Sequence, residues 1–288
     1  MKTFKNIVVA TDFSDSAANA YQYAQNLAEL FDANLTVVHV FDIPVNPAVS
    51  DYTITMPTIS ELEQSAKERL ANFIEMESDD DVESITIYNT KVKAEALLGL
   101  PAQTLIERSL KHGTDLMILG TVGEHGWLDK AFGSVAVKVM EKAHCPVLLV
   151  PKNAVYNGIR NTLYASGQES ASRNAINMAL DFAHLFNSTL HFVHVDAIFE
   201  ADKQKASSTI KHVLAQRATN IPLHIKNITA ETVSDGINAY CQKNSIDLIM
   251  AVTHHRSFWQ DFIHYSVTRE LAWQTNMPLI CFHSDDDL

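Results

Sequence analysis

Residues 118–134 read ILGTVGEHGWLDKAFGS. An apolar run, DLMILG, closes at Gly120, Gly123 follows three residues later, and Gly133 stands directly before Ser134. The chain of 288 residues holds 9 glycines, so this concentration needs a reason. A glycine at the end of a buried strand permits a sharp turn, and one without a Cβ lets backbone N–H groups come close to an anion. Gly133 and Ser134 open an amphipathic segment, SVAVKVMEKA. The unpaired N–H groups and dipole of such a helix start favour phosphate, and the Ser134 hydroxyl can add a hydrogen bond.

Around this stretch the periodicity switches between strand and helix. Phe4–Ala10 and Leu35–Phe41 are apolar and β-branched, and Ala17, Tyr21, Ala24, Leu27, Ala28 and Phe31 recur at helical spacing between them. Ser14 or Ser16 is placed to cap that helix. Further on, helices are predicted at 60–75, 101–112 and 134–143, with strands at 84–90, 116–119 and 147–150. Strands alternating with helices imply crossover connections and a parallel sheet covered on both faces.

The pattern then repeats. KNIVVATDFSDSAANAYQYAQNLAELFDANLTVVHV matches IRNTLYASGQESASRNAINMALDFAHLFNSTLHFVHV, with Phe31/Phe186 and His39/His194 at one constant offset. DLMILGTVGEHGWLDKAFGSV matches DLIMAVTHHRSFWQDFIHYSV through Asp115/Asp247, Trp127/Trp259 and Ser134/Ser266, with Pro146/Pro278 beyond them at the same second offset. A self-match at half the chain length marks a duplicated domain. The junction is PKNAVYNGIR, residues 151–160.

Composition narrows the function classes. The net charge is -12, and no Lys/Arg cluster offers the basic face that a nucleic-acid partner needs. Any anionic ligand must therefore be held locally. No apolar run approaches the ~18 residues of a membrane span, and MKTFKNIVVATDF meets an aspartate too early for a signal peptide, so the chain reads as cytoplasmic. Cys145, Cys241 and Cys281 lack metal spacing and read as buried thiols.

In a doubly wound sheet, ligands bind beyond the carboxyl ends of strands where the strand order reverses. Two strand ends carry suitable chemistry: Ala10-Thr11-Asp12 after the first strand and GTVG after Leu119. They face one crevice if the first and fourth strands are neighbours. Asp12 can accept from a ribose hydroxyl or a base amine, and can equally cap the following helix.

The spacing G-x-x-G, nine residues, then G-S, framed by VVATDFS and CPVLLVP, resembles the ATP-binding subgroup of the universal stress protein family across essentially the whole chain. The resemblance implies two tandem doubly wound α/β domains, 1–151 and 158–284. Each would be a Rossmann-like, five-stranded parallel sheet of the adenine nucleotide alpha hydrolase type, ordered 3-2-1-4-5. It implies ATP, with or without Mg²⁺, as ligand. Ala10, Thr11 and Asp12 would lie by the adenine and ribose, and Val40 would line the base pocket. Gly120 would end the strand, Val122 and Gly123 would meet ribose and phosphates, and Gly133, Ser134 and Val135 would hold the phosphates. It further implies pairing of the two halves through Val147–Val150 and Leu279–Phe282, with a homodimer as a further option.

The second half departs from the pattern. Val252, His255 and Tyr265 replace Gly120, Gly123 and Gly133, Gly167 replaces Asp12, and Ser266 alone is retained. Added side chains would fill the space a phosphate needs, so this half is expected to be structural or regulatory. His254, His255 and Asp261 read as polar loop rather than a zinc site. No GKS or GKT follows the glycines, and Lys130 is the loop's one cation. The readings left open are a nucleotide-binding stress-response protein, a slow ATPase or phosphoryl-transfer enzyme, and a scaffold in which the glycines only shape a loop. The missing lysine favours binding without fast turnover.

Overall fold

The computed structural model describes residues 3–43, 57–77, 92–110, 113–121, 133–165, 173–197, 212–213, 220–253 and 277–283. The N-terminal half runs β1 (Asn6–Ala10), α1 (Asp15–Phe31), β2 (Asn34–Phe41), α2 (Ile59–Met76), β3 (Val92–Leu98), α3 (Pro101–Leu110), β4 (Leu116–Gly120), α4 (Ser134–Lys142) and β5 (Val147–Val150). The C-terminal half runs β6 (Asn161–Ala165), α5 (Arg173–Leu185), β7 (Thr189–Ala197), β8 (Leu223–Ala230), α6 (Val233–Asn244), β9 (Leu248–Thr253) and β10 (Leu279–His283).

The strands form one sheet in the order β3-β2-β1-β4-β5-β10-β9-β6-β7-β8. Within each half the pairing is parallel, and β1 lies between β2 and β4, with Ala10 opposite both Val38 and Leu119. β10 meets β5 antiparallel, Ile280 opposite Leu148.

Strand alternation divides the core. Ile7, Val9, Leu35, Val37 and Ile118 face a layer containing α1, α2 and α5, where Tyr21, Leu70 and Phe182 are buried. Val8, Val38, Met117 and Leu119 face the opposite layer, with Leu105 of α3, Val139 of α4 and Ile237 of α6. A doubly wound sheet is thus buried on both faces, as its nearly continuous apolar strands require.

Helix starts follow local chemistry. Ser14 caps α1, its Oγ accepting from Ala17 N–H at 3.2 Å. Thr58 and Glu61 form a capping box on α2. The third strand differs from expectation: Val92–Leu98 takes the edge beside β2, and 84–90 lie outside the described residues. VKAEALL has weak strand propensity, but the Glu95 carboxylate meets the Arg108 Nε of α3 at 3.0 Å and fixes that edge against the helix. All three cysteines are buried, and burial pushes the Cys145 and Cys241 thiols up to about 12. No described helix is long and apolar enough to cross a membrane.

Candidate functional site

At the carboxyl ends of β1 and β4 lies a cavity of about 370 Å³. This is where the strand order reverses: β1 leads out to β2 on one side while β4 stands on the other. One wall is apolar, made by Val38 and Val40 of β2, Pro101 and Leu105 of α3, and Leu119. The facing wall is backbone, from Gly133, Ser134, Val135 and Ala136 at the start of α4. Thr11, Asp12, Ser14 and Ala17 close the side toward α1, with Gly120 and Thr121 beneath.

The α4 start is built for an acceptor. Gly133 is its cap residue, in extended conformation, and as a glycine it supplies no side-chain cap. The first-turn N–H groups gain no hydrogen bond from a cap side chain, and the positive end of the dipole acts at the same place. Gly133 donates its own N–H to the Thr121 carbonyl at 2.5 Å. That bond brings together the two ends of the segment 122–132, which carries Val122 and Gly123. Both of these expected site residues lie outside the described residues, as do His125, Trp127, Asp129 and Lys130.

The β1–α1 turn is held by its own polar groups. Thr11 is buried, donates its N–H to Val38 O at 2.9 Å, and accepts from Phe13 N–H on Oγ1 at 2.9 Å. Asp12 is exposed, and its Oδ1 accepts from the Ser14 N–H at 3.1 Å and Oγ at 2.6 Å. Asp12 thus braces Ser14 while lining the cavity, and the cap of α1 is Ser14 and not Asp12. Its place beside the α1 N-terminus is electrostatically favourable. Behind the turn, His39 places Nδ1 2.9 Å from the Thr11 carbonyl. Burial pushes this imidazole below its ordinary 6.5, against the pull of that carbonyl.

Gly120 has a more specific role than turn formation. A Cβ there would lie 2.5 Å from Ser16 Oγ and 2.7 Å from the Ser16 carbonyl carbon. Its bareness lets α1 pack on the end of β4 and so sets the floor of the cavity. Ala10, Thr11, Asp12, Val40, Gly120, Gly133, Ser134 and Val135 all line one space. Sequence reading missed Val38, Leu105 and Thr121. The signals were a second valine on the same β2 face as Val40, and a polar residue directly after Gly120.

The C-terminal half differs at the position that forms the apolar wall. Val195 of β7 occupies the repeat position of Val40 but is buried, whereas Val40 is half-buried. Gly236 of α6 presses on it: a Cβ at Gly236 would lie 2.7 Å from Val195 Cγ1. Gly167, His255 and Tyr265 lie outside the described residues, and of Val252 only the backbone is described. Among the described residues no group of three His, Cys, Asp or Glu could hold a metal ion.

These features define a tandem, doubly wound α/β protein with a cavity at the switch point of its first half. The chain belongs to the universal stress protein family, whose model matches residues 3–151 and again 158–283. It is 32% identical over 152 residues, 52% of this chain and 83% of the other, to a universal stress protein of Methanocaldococcus jannaschii. It is 24% identical over 299 residues, 96% of this chain and 99% of the other, to one from Synechocystis. In three dimensions it resembles the crystal structure of a universal stress protein from Archaeoglobus fulgidus, with a TM-score of 0.69, 17% identity and 99% of each chain covered. That likeness shows the fold.

Proposed function

We propose that the N-terminal cleft binds an adenine nucleotide, ATP with or without Mg²⁺, and that the protein acts in stress response or signalling through occupancy of this site. The observation that carries the reading is the pairing of opposite walls across one cavity. Val38, Val40 and Leu105 suit a flat apolar base, and the N-terminus of α4, whose cap residue is a glycine, suits phosphate. Thr11 and Asp12, between the two, suit a ribose. Val122 and Gly123 would complete the phosphate side. The two units, 1–151 and 158–284, work as one pseudo-symmetric body through β5 and β10, the second supporting the first.

Binding rather than fast turnover is the better match. Among the described residues that line the cavity, Asp12 is the one ionisable side chain, and efficient phosphoryl transfer calls for a cation and a positioned base as well. The test is extraction of nucleotide from purified protein, followed by calorimetric titration with ATP, ADP and GTP and a time course of ADP release. Adenine nucleotide recovered on extraction, saturable ATP binding and slow or absent release of ADP support the reading. A protein free of nucleotide that gives no heat with any of the three removes it.

A further inference from the structure

His39 lies on the face of β2 away from the cavity, yet it is bonded to the turn that closes one side of it. Val38 and Val40 point into the cleft; His39, between them, points into the α1–α2 layer by strand alternation. There its Nδ1 sits 2.9 Å from the Thr11 carbonyl. A carbonyl only accepts, so Nδ1 carries the hydrogen. Thr11 is thereby held from both ends by β2, its N–H on the Val38 carbonyl and its own carbonyl on His39.

The next residue but one is also unusual. Phe13 has φ 68, in the left-handed region that a bulky side chain seldom adopts. Its ring packs on the His39 ring with centroids 4.3 Å apart, and meets the Phe73 ring edge-on at 5.7 Å. The Arg69 guanidinium of α2 lies 4.4 Å over the Phe13 ring. The backbone conformation that swings Asp12 to the cavity is thus over-determined by a hydrogen bond and a ring stack from outside the site.

We propose that His39 is a positioning residue for the nucleotide cleft: its Nδ1–H anchors the Thr11 carbonyl, its ring holds Phe13 in the left-handed conformation, and the two together set where Thr11 and Asp12 meet the ligand. The inference rests on the nucleotide reading of the cleft and deepens it. The imidazole never touches the ligand. Burial first, and the Arg69 guanidinium with it, push the imidazole below its ordinary value against the Thr11 carbonyl and the Asp12 carboxylate, which favours the neutral ring. In the second half Gln168, a residue without a ring, stands at the position of Phe13 in the repeat.

The experiment compares wild type, His39→Asn and His39→Leu as full chains, by ATP calorimetry and thermal unfolding. Asparagine keeps an N–H donor near the Nδ1 position, and leucine keeps bulk without a donor. The expected result is that His39→Leu weakens ATP binding about tenfold, the size of one lost positioning hydrogen bond, while His39→Asn recovers most of it. A purely structural role would instead lower the unfolding temperature of both variants and leave affinity unchanged in whatever folds. Equal affinity of wild type and His39→Leu overturns the proposal, as does an asparagine variant as weak as leucine. If His39→Leu does not fold, long-range ¹⁵N NMR of the wild-type imidazoles decides: a neutral Nδ1–H form for His39 supports the anchor, and an Nε2–H form overturns it. Failure of wild type itself to bind ATP removes the nucleotide reading first, and is distinguished by that titration alone.

Discussion

Gly120 and Ser16 are packed so closely that a methyl group on the glycine would fall 2.5 Å from the serine hydroxyl and 2.7 Å from its carbonyl. Helix α1 and strand β4 therefore meet through bare backbone, and Ser16 itself is buried. Two things follow for the cleft. Its floor depends on a glycine that serves packing, and the same glycine sits among the cavity-lining residues.

Gly120→Ala should accordingly act on stability first. Serine backbone cannot give way as the end of a flexible side chain would, so α1 must shift. We expect a loss of about 1–3 kcal/mol, typical of overpacking a tight site, read as a lower urea midpoint at unchanged slope. Nucleotide affinity should fall as well, because Ala17, Thr11 and Asp12 move with the helix start. A variant with wild-type stability would show that the Gly120 position tolerates a side chain and that the α1–β4 packing is looser than described.

Val40→Phe tests the opposite wall without touching the core. Val40 is half-buried and faces the cavity, so the larger ring can enter the empty space instead of displacing neighbours. The fold should stay within about 0.5 kcal/mol of wild type, as for changes away from packed features. ATP affinity should drop by at least about tenfold, equivalent to roughly 1.4 kcal/mol of lost contact. Unchanged calorimetric binding would place the base elsewhere.

How much of this was legible beforehand depended on which physical effect decided each feature. The β1, β2, β4 and β5 runs are apolar on both faces and bounded by turn residues, so burial alone specified them. The duplication was visible because pairs such as Phe31/Phe186 sit at core positions in both copies. Those two rings in fact touch, with centroids 5.2 Å apart, a contact no alignment can supply. The edge strand Val92–Leu98 was misplaced because its residues are equally at home in a helix. Its state is decided by pairing with β2 and by the Glu95–Arg108 contact, both long-range. At the site, Ala10, Thr11, Asp12, Gly133 and Ser134 were readable because glycine and strand-end chemistry is local. Leu105 was not: helical periodicity says that it is buried, not that a cavity lies beside it. The partner of Gly120 was hidden for the same reason, since nothing in the sequence brings Ser16 to it.

The C-terminal copy should not add a second nucleotide. Val195 is covered where Val40 is open, and α6 reaches it through Gly236. A titration of the intact chain with ATP should therefore saturate at a single equivalent. Gly236→Thr, which installs the residue found at the matching place in α3, should destabilise by about 1–3 kcal/mol through overpacking against Val195. Two equivalents of bound nucleotide would mean that this wall opens in solution.

The last prediction concerns acid. His191 of β7 is buried, its Nδ1 lies 3.0 Å from the Tyr240 hydroxyl, and its Nε2 is buried with no hydrogen-bond partner among the described residues. The His224 ring lies 4.7 Å away on β8. Burial first, and the neighbouring imidazole second, push His191 down from 6.5 to about 4. Protonation in the folded chain would give Nε2 a proton and charge that no described neighbour accepts. In the unfolded chain the ring takes up a proton near its ordinary value. Between these two values the unfolded state binds more protons, so stability falls as the pH drops from about 6.5 toward 4. The contribution is fully present above the upper value. Lowering the pH from 7 to 5 should cost about 1–2 kcal/mol through this one group. His191→Phe fills similar volume without a titrating nitrogen, and its stability should fall by that much less over the same interval. Urea unfolding of both proteins at pH 7 and pH 5 measures the difference directly. Parallel losses in the two proteins would show that His191 is not the group that senses acid.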